Sequence, residues 1–155
     1  MRSFHSIKLL GLISDTHGLL RDSAKAALEK VEVIIHAGDI GPGKVLKDLE
    51  SIAPVVAVRG NVDSGLDVSP NETVSVNDRL IYILHDLAAL DFVPEKAGIF
   101  IVVSGHSHKA RVEKKNGVLY INPGSIGPRR FRLPVTYATI AFGAMEPVVK
   151  VIELA

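Results

Sequence analysis

The sequence predicts a mixed α/β fold, in which two β-sheets pack face to face and helices lie outside them. In the first half, short aliphatic runs alternate with helix-like segments, which is typical of a parallel sheet buried on both faces. In the second half, paired runs flank short turn sequences, which is typical of antiparallel hairpins. The chain has 155 residues and no internal linker or repeat, so residues 1–155 are expected to form one domain.

Strands alternate with helices in the first half of the chain. Asp22 and Ser23 suit a helix cap, and the alanine-rich segment behind them predicts a helix over Asp22–Lys30. Pro42 suits the first turn of a second helix, whose apolar residues recur at helical spacing to about Ser51. Aliphatic and β-branched runs predict three buried strands, which are Ile7–Ile13, Val31–Ile35 and Val55–Val58.

The second half consists mainly of predicted hairpins. Asn116-Gly117 is the strongest hairpin turn in the sequence, and Asn77-Asp78 is a weaker one. A turn or two of helix is expected between Leu87 and Pro94, because the proline limits its length. The predicted strands, in chain order, are Thr73–Val76, Leu80–Leu84, Phe100–Val103, Arg111–Lys115, Val118–Ile121, Val135–Phe142 and Pro147–Leu154.

The composition excludes several classes of function. The chain has no cysteine, which excludes disulfides and thiolate nucleophiles and leaves His, Asp, Glu and Asn as metal ligands. A formal net charge of +1 gives no overall field that would favour nucleic acid or membrane surfaces. There is no signal-peptide pattern and no apolar run of about 18 residues, so a cytoplasmic protein without membrane contact is expected.

Polar residues follow several predicted strands at the point where each strand ends. Carboxyl ends of parallel strands meet at one edge of a sheet, so these side chains are expected to converge. Taken singly, each would be explained as a cap or a turn residue, but their combination indicates a metal site. Two neighbouring cations need an anion between them, and Asp39 and Asp15 are the central carboxylates that could supply it. The ligand-type residues are Asp15, His17, Asp39, Asn61, His85, His106 and His108.

These motifs resemble the signature of the calcineurin-like metallophosphoesterases, and a later segment is similar to the small prokaryotic phosphodiesterase branch of that superfamily. The later segment is Asn122-Pro123-Gly124-Ser125 with the following Pro128-Arg129. The resemblance implies a four-layer αββα sandwich with a dinuclear metal site. The signature motifs, in chain order, are Asp15-x-His17, Gly38-Asp39, Gly60-Asn61-x-Asp63, His85 and Gly105-His106-x-His108.

The resemblance also implies a division of the ligands. One cation would be held by Asp15, His17, Asp39 and His108. The second would be held by Asp39, Asn61, His85 and His106, which are also the expected catalytic residues. A hydroxide held between the cations would attack the phosphorus of a small or nucleotide-like phosphodiester. Mn²⁺ is the cation expected first, with iron, Zn²⁺ or Ni²⁺ as alternatives, because ligation by histidine and carboxylate fits these ions better than Ca²⁺.

Two positions depart from the family pattern. Val62 stands where many members have a histidine that is thought to protonate the leaving group, so weak activity is expected on esters with basic leaving groups. Asp86 follows His85 where a Gly-His is usual, and either a hydrogen bond to a ligand histidine or exposure to solvent would explain it.

His36 is expected to be a buried supporting residue, and Asp63 is expected to fix a turn or support a ligand.

Three alternatives stay open at the level of the sequence. One is a binding scaffold with the same fold, as for the retromer subunit that resembles this family. Others are a phosphomonoesterase or a nuclease, although nucleic acid is disfavoured because only one basic run is present. That run, Arg129, Arg130 and Arg132, either binds an anionic substrate or is a solvated loop. A homo-oligomer is left open.

Overall fold

The computed structural model describes residues 1–154, which form one six-stranded and one five-stranded sheet. Two α-helices are present, α1 (Asp22–Ala27) and α2 (Lys44–Glu50), and two single-turn 3₁₀ helices lie at Leu87–Ala89 and Pro94–Ala97. The strands, in chain order, are β1 (Arg2–Phe4), β2 (Leu9–Ile13), β3 (Val33–His36), β4 (Val55–Ala57), β5 (Asn71–Val76), β6 (Arg79–Leu84), β7 (Ile99–Val103), β8 (Arg111–Lys115), β9 (Val118–Asn122), β10 (Thr136–Ala141) and β11 (Val148–Glu153).

The five-stranded sheet has the order β11-β10-β2-β3-β4. Strands β2, β3 and β4 are parallel, because α1 and α2 carry the chain back between them, whereas β10 runs antiparallel to both β2 and β11. The six-stranded sheet has the order β1-β5-β6-β7-β9-β8 and contains parallel and antiparallel pairs. The predicted mixed α/β fold with two mixed sheets is therefore confirmed.

The sheets pack face to face over a continuous aliphatic core. Residues from both sheets contribute, including Leu10, Ile35, Ile81, Ile101 and Ile140, all of which are fully buried. A second cluster lies between the five-stranded sheet and the two α-helices. The outer face of the six-stranded sheet is covered mainly by the segment that holds the 3₁₀ helices. The helical layer on that side is thus thin.

Element ends differ from the predictions in ways that local hydrogen bonds explain. Helix α1 ends at Ala27 instead of Lys30, because the Leu28 amide divides its bond between the carbonyls four and three residues back and the Glu29 amide bonds only three residues back, which tightens the last turn. Strand β2 begins at Leu9 instead of Ile7, because the backbone of Ile7 bonds the Asn77 side chain. The turn at Asn77 and Asp78 has φ of 50° and 64°, the left-handed pair that a two-residue hairpin requires.

Strand β1 was absent from the predictions. It pairs in parallel with β5 over only three residues, Arg2 to Phe4. In the part of the chain that the structure describes, no helix has the length and apolar character needed to span a bilayer.

Candidate metal centre

The loops that follow β2, β3, β6 and β7 bring their polar side chains to one edge of the sandwich. Asp15, Asp39, His85 and His108 are buried there, and Asp15 has no exposed surface. His17 is half-buried, with 15% of its side chain exposed. Polar groups of five predicted ligand positions therefore lie inside the protein, which requires partners that offset the loss of water.

Two overlapping groups of ligand atoms form this centre. In the first group Asp15 Oδ1 lies 3.4 Å from His108 Nε2 and 3.7 Å from His17 Nε2. In the second group Asp39 Oδ2 lies 3.2 Å from His85 Nε2, and Asp15 Oδ1 lies 4.0 Å from the same nitrogen. The Asp39 oxygen also lies 3.6 Å from His17 Nε2, so both carboxylates reach both groups. All ligand atoms within each group lie within 4.8 Å of one another.

Several of these atoms are buried and have no hydrogen-bond partner. They are Asp15 Oδ1, His17 Nε2, His85 Nε2 and His108 Nδ1. Atoms bound at about 2.1 Å to a common cation lie roughly 3 to 4 Å apart, which is the spacing found here. Two carboxylates and three imidazoles that face one another without internal bonds therefore fit one or more divalent cations.

The hydrogen bonds around the centre orient its ligands. His85 Nδ1 lies 2.7 Å from the carbonyl oxygen of Ala37, to which it donates, so that Nε2 keeps its lone pair for the centre. The other oxygen of Asp15, Oδ2, accepts from Ser14 Oγ at 2.7 Å and from the His106 amide at 3.2 Å. These bonds leave Oδ1 of Asp15 free to face the imidazoles.

His36 lies behind the centre and does not enter it. Thr16 Oγ1 donates to the carbonyl of Ile40 at 2.7 Å, so at 3.0 Å the same oxygen accepts the Nε2 proton of His36. Nδ1 of His36 accepts from the Gly38 amide at 3.1 Å. Burial is the main cause that lowers the pKa of His36 to about 3, so the ring is neutral. The expected supporting role agrees with this arrangement.

Asp63 joins the loops that follow β3 and β4. Its carboxylate accepts from the amides of Ile40, Gly41 and Gly60 at 2.8–3.1 Å, and the residue is 1% exposed. Gly60 in turn has no room for a side chain, because a Cβ there would overlap the Asp39 amide and carboxylate. The expectation that Asp63 fixes a turn is met, and the turn holds Asp39 in place.

The predicted ligands have an unusual backbone. Left-handed φ angles are uncommon for residues other than glycine and cluster at functional sites. The predicted site residues with such angles are Asp15 (58°), His17 (45°), Asp39 (57°), His106 (71°) and His108 (63°).

Asn61 and His106 lie at the rim of the centre. Both are exposed, and neither belongs to the two buried groups. The His106 ring stands edge-on to His85 at 5.2 Å between centroids, and its Nε2 lies 3.9 Å from Asp86 Oδ2. Asp86 also accepts from the Ala88 amide at 3.0 Å, so it both caps a 3₁₀ helix and faces a predicted ligand.

Two clefts flank the rim. One, of about 440 Å³, is lined by His106, Asp86, Tyr120 and Asn122 among others. The other, of about 390 Å³, contains Asn61 and lies on the opposite side of Asp86. Val62 is 53% exposed, and its amide donates to Asp39 Oδ1 at 3.2 Å. The rim is therefore open on two sides, with an aliphatic side chain beside Asn61.

The end of β9 and the segment that follows it support two of the loops at the centre. Asn122 Nδ2 donates to the carbonyl of Gly105 at 2.9 Å and to Ser107 Oγ at 3.1 Å, which fixes the loop that carries His106 and His108. Ser125 Oγ donates to the carbonyl of Asp15 at 3.1 Å. The family-like Asn-Pro-Gly-Ser segment thus holds two of the ligand loops.

The basic run that follows this segment is exposed. Burial lowers the pKa of His108, Asp15 opposes that effect, and the charge of Arg130 adds to the lowering. Sequence reasoning had not singled out Ser14, which orients Asp15, or Phe131, which projects from the basic run. The signal for Phe131 was an aromatic residue between arginines, whereas nothing in the sequence distinguished Ser14.

Known proteins with similar sequences or folds support a phosphoesterase. The chain is 35% identical over 132 residues to a probable metallophosphoesterase of Methanocaldococcus jannaschii, covering 76% of this chain and 67% of that protein. It is 31% identical over 137 residues to a phosphodiesterase of the same organism, covering 74% and 82%. The structure of Vacuolar Protein Sorting 29 from Cryptosporidium parvum has a TM-score of 0.83 at 22% identity, covering 96% and 92%, which is a likeness of fold.

The fold, the buried ligand groups and these relatives define a class of metal-binding hydrolase that acts on phosphoesters. Residues 9–144 match the calcineurin-like phosphoesterase superfamily domain. The chain belongs to this family, and the resemblance found in its motifs is confirmed.

Proposed function

We propose that the protein is a dinuclear, metal-dependent phosphodiesterase that hydrolyses small or nucleotide-like phosphodiesters in the cytoplasm. The observation that carries this proposal is the pair of overlapping ligand groups, which share Asp15 and contain buried atoms without hydrogen-bond partners. The similarity to an archaeal phosphodiesterase supports diesters as the substrate class. Hydrolysis would add water across one P–O ester bond and release a phosphomonoester and an alcohol.

The proposed ligand sets follow the family resemblance. Asp39 is the proposed bridging carboxylate on the family resemblance, and its Oδ2, which lies 3.6 Å from His17 Nε2 and 3.2 Å from His85 Nε2, is within reach of both groups, as is Asp15 Oδ1. Asn61 and His106, which lie at the rim, are included in the second ligand set only because the family resemblance implies them. The first set is Asp15, His17, Asp39 and His108, and the second set is Asp39, Asn61, His85 and His106.

Divalent cations held there, with Mn²⁺ expected first and iron, Zn²⁺ or Ni²⁺ as alternatives, would lower the pKa of water and neutralise charge on the phosphoryl oxygens. The chain's own residues supply the geometry. Ser14 and Ala37 orient Asp15 and His85 through their hydrogen bonds. The side chain of Val62 has no proton to donate to the leaving oxygen. Diesters with stable leaving groups are therefore the preferred substrates.

Substitution of the proposed bridging residue tests this function. We expect Asp39→Asn to reduce hydrolysis of bis(p-nitrophenyl) phosphate in Mn²⁺ to background, because the amide removes the anion between the cations. Bound metal, measured by elemental analysis after dialysis, is expected to fall as well. Asp78→Asn is the matched control, since Asp78 is an exposed residue of the β5–β6 turn.

The same experiment separates the alternatives. A wild-type protein that binds no metal and cleaves no diester would reject the proposal in favour of a binding scaffold. Faster cleavage of p-nitrophenyl phosphate than of the diester would indicate a phosphomonoesterase instead.

A further inference from the structure

Phe131 is exposed in a way that folding does not explain. Its side chain is 95% exposed, so it contributes no packing to the core. It lies in a turn closed by the Leu133 amide, which donates to the carbonyl of Arg130 at 3.1 Å. The φ of Phe131 in this turn is 53°, a conformation that favours glycine and is unusual for a bulky residue. An apolar side chain that is both strained and exposed points to a role in binding.

The surroundings of Phe131 connect it to the metal centre. It lines an open cleft of about 860 Å³, here called the Phe131 cleft, together with Ser107, Lys109, Arg132 and Leu133. Ser107 lies between the predicted ligands His106 and His108 in the chain, so the cleft adjoins the loop that carries these two residues. Pockets of about 300–1,000 Å³ are typical of sites for small organic ligands. The Phe131 cleft is therefore an open surface beside the loop of His106 and His108, with room for a small organic group.

The charges around the cleft are positive. Lys109 and Arg132 line it, and Arg129 and Arg130 are exposed on the same turn. Within residues 1–154, none of these four side chains forms an ion pair with a carboxylate. Free cations beside an exposed aromatic ring are the combination that binds nucleotides, since bases stack on the ring and phosphates attract the cations.

We propose that Phe131 is a stacking platform for the base of a nucleoside-containing phosphodiester, whose phosphorus lies at the metal centre. This inference rests on the proposed function and narrows its substrate class. The base would lie in the Phe131 cleft, with Lys109 and Arg132 beside the sugar-phosphate. A base is favoured over other aromatic groups because the cleft combines one exposed ring with several unpaired cations and adjoins the loop of His106 and His108 at Ser107.

Two chromogenic esters with the same leaving group test the stacking. Thymidine 5′-(p-nitrophenyl phosphate) carries a base, and ethyl p-nitrophenyl phosphate does not. We expect Phe131→Ala to lower the ratio of kcat/KM for the thymidine ester to that for the ethyl ester by at least about fivefold, mainly through KM. Phe131→Trp is expected to keep the ratio. Phe131→Gly relieves the strain of the left-handed φ but removes the ring, so it should lower the ratio as much as Phe131→Ala does. A lower ratio in this variant would show that the lost ring, and not a weakened turn, is the cause. Met145→Ala, a change at another exposed apolar residue, should leave the ratio unchanged.

A binding measurement decides the inference independently of catalysis. The chain has no tryptophan, so Phe131→Trp creates a single tryptophan at the cleft, whose emission can be excited selectively over that of the three tyrosines. In the presence of Mn²⁺ we expect AMP to quench its emission, whereas ribose 5-phosphate should not.

An unchanged ratio in Phe131→Ala and Phe131→Gly, with no quenching specific to AMP, would overturn the proposal. Cosedimentation of the protein with phosphatidylserine vesicles, lost in Phe131→Ala and without AMP quenching, would assign the turn to a membrane surface and would also overturn it. If the wild type cleaves neither ester, the proposed function fails while the quenching result still decides the stacking.

Discussion

Val62 shows how one residue shapes the proposed chemistry. It stands at the rim beside Asn61 with its side chain exposed to solvent, and its amide is tied to Asp39. An aliphatic group in this place gives the leaving oxygen no proton. The rate of cleavage should therefore depend on how well each leaving group carries its own negative charge.

A histidine at this position is expected to reduce that dependence. In wild-type protein kcat/KM should fall steeply as the leaving-group pKa rises across a series of aryl methyl phosphodiesters. Val62→His should flatten the series and raise the rate for the most basic leaving groups, within the roughly 10²–10⁴-fold that general acids supply. Val148→His, at an exposed position of β11, is the control. A flat dependence in the wild type would contradict the argument.

At the level of residues, sequence reasoning located the buried ligand-type groups but not their supports. Asp15, Asp39 and His85 could be placed because each follows a predicted strand, and the structure brings them together. Their metal binding stays a prediction. Ser14 could not be identified, because its bond to Asp15 depends on loop geometry that has no sequence pattern. The exposure of His106 was likewise invisible, since exposure at a rim is set by neighbouring loops.

At the level of elements, the loops after β3 and β4 behave as one unit. The buried carboxylate of Asp63 accepts hydrogen bonds from three backbone amides of these two loops. The predicted ligand Asp39 lies within the loop that Asp63 fixes. The stability of this unit and the position of the ligand should therefore change together.

Removal of the Asp63 carboxylate is expected to destabilise the protein and weaken metal binding. Asp63→Ala leaves buried amides without an acceptor, so the free energy of unfolding should fall by about 2–4 kcal/mol. Urea unfolding followed by circular dichroism measures this change, and elemental analysis measures retained metal. Asp67→Ala, at an exposed position of the same loop, should change neither quantity appreciably. Full stability of Asp63→Ala would show that the loops are held by other contacts.

The elements themselves differed in how well they could be predicted. The β2-α1-β3-α2-β4 segment was predictable because strands buried on both faces give continuous aliphatic runs. Strand β1 was not predictable, because a run of three residues is too short to show an alternation of apolar and polar side chains, and its partner β5 lies far away in the sequence. The thin cover of the six-stranded sheet also escaped prediction, since single 3₁₀ turns such as Pro94–Ala97 lack helical periodicity.

For the whole molecule, His36 links stability to pH. Burial lowers its pKa from 6.5 to about 3 in the folded protein. Between these values the unfolded chain binds a proton that the folded protein does not, so acid favours unfolding. The contribution of His36 is thus fully present above pH 6.5 and is lost as the pH falls toward about 3.

His36→Gln is expected to weaken this pH dependence. Each pH unit below the unfolded pKa costs about 1.4 kcal/mol of stability for one such group. The loss of unfolding free energy between pH about 7.5 and pH about 5.5 should therefore be smaller in the variant by roughly 1 kcal/mol. Urea titrations in EDTA, which removes metal as a variable, measure the difference. His5→Gln, at an exposed histidine, should retain the wild-type dependence, and the same dependence in His36→Gln would exclude this role.

The left-handed backbone at the predicted ligands lowers the stability of this protein, although it positions the groups of the candidate site. Strain of this kind costs on the order of 1–3 kcal/mol at each residue, and glycine would remove most of it. Asp15, His17 and Asp39 thus occupy positions at which selection for stability alone would favour a residue without a side chain. A variant freed from the demands of this site would become more stable as it lost these residues, so stability alone does not account for their presence.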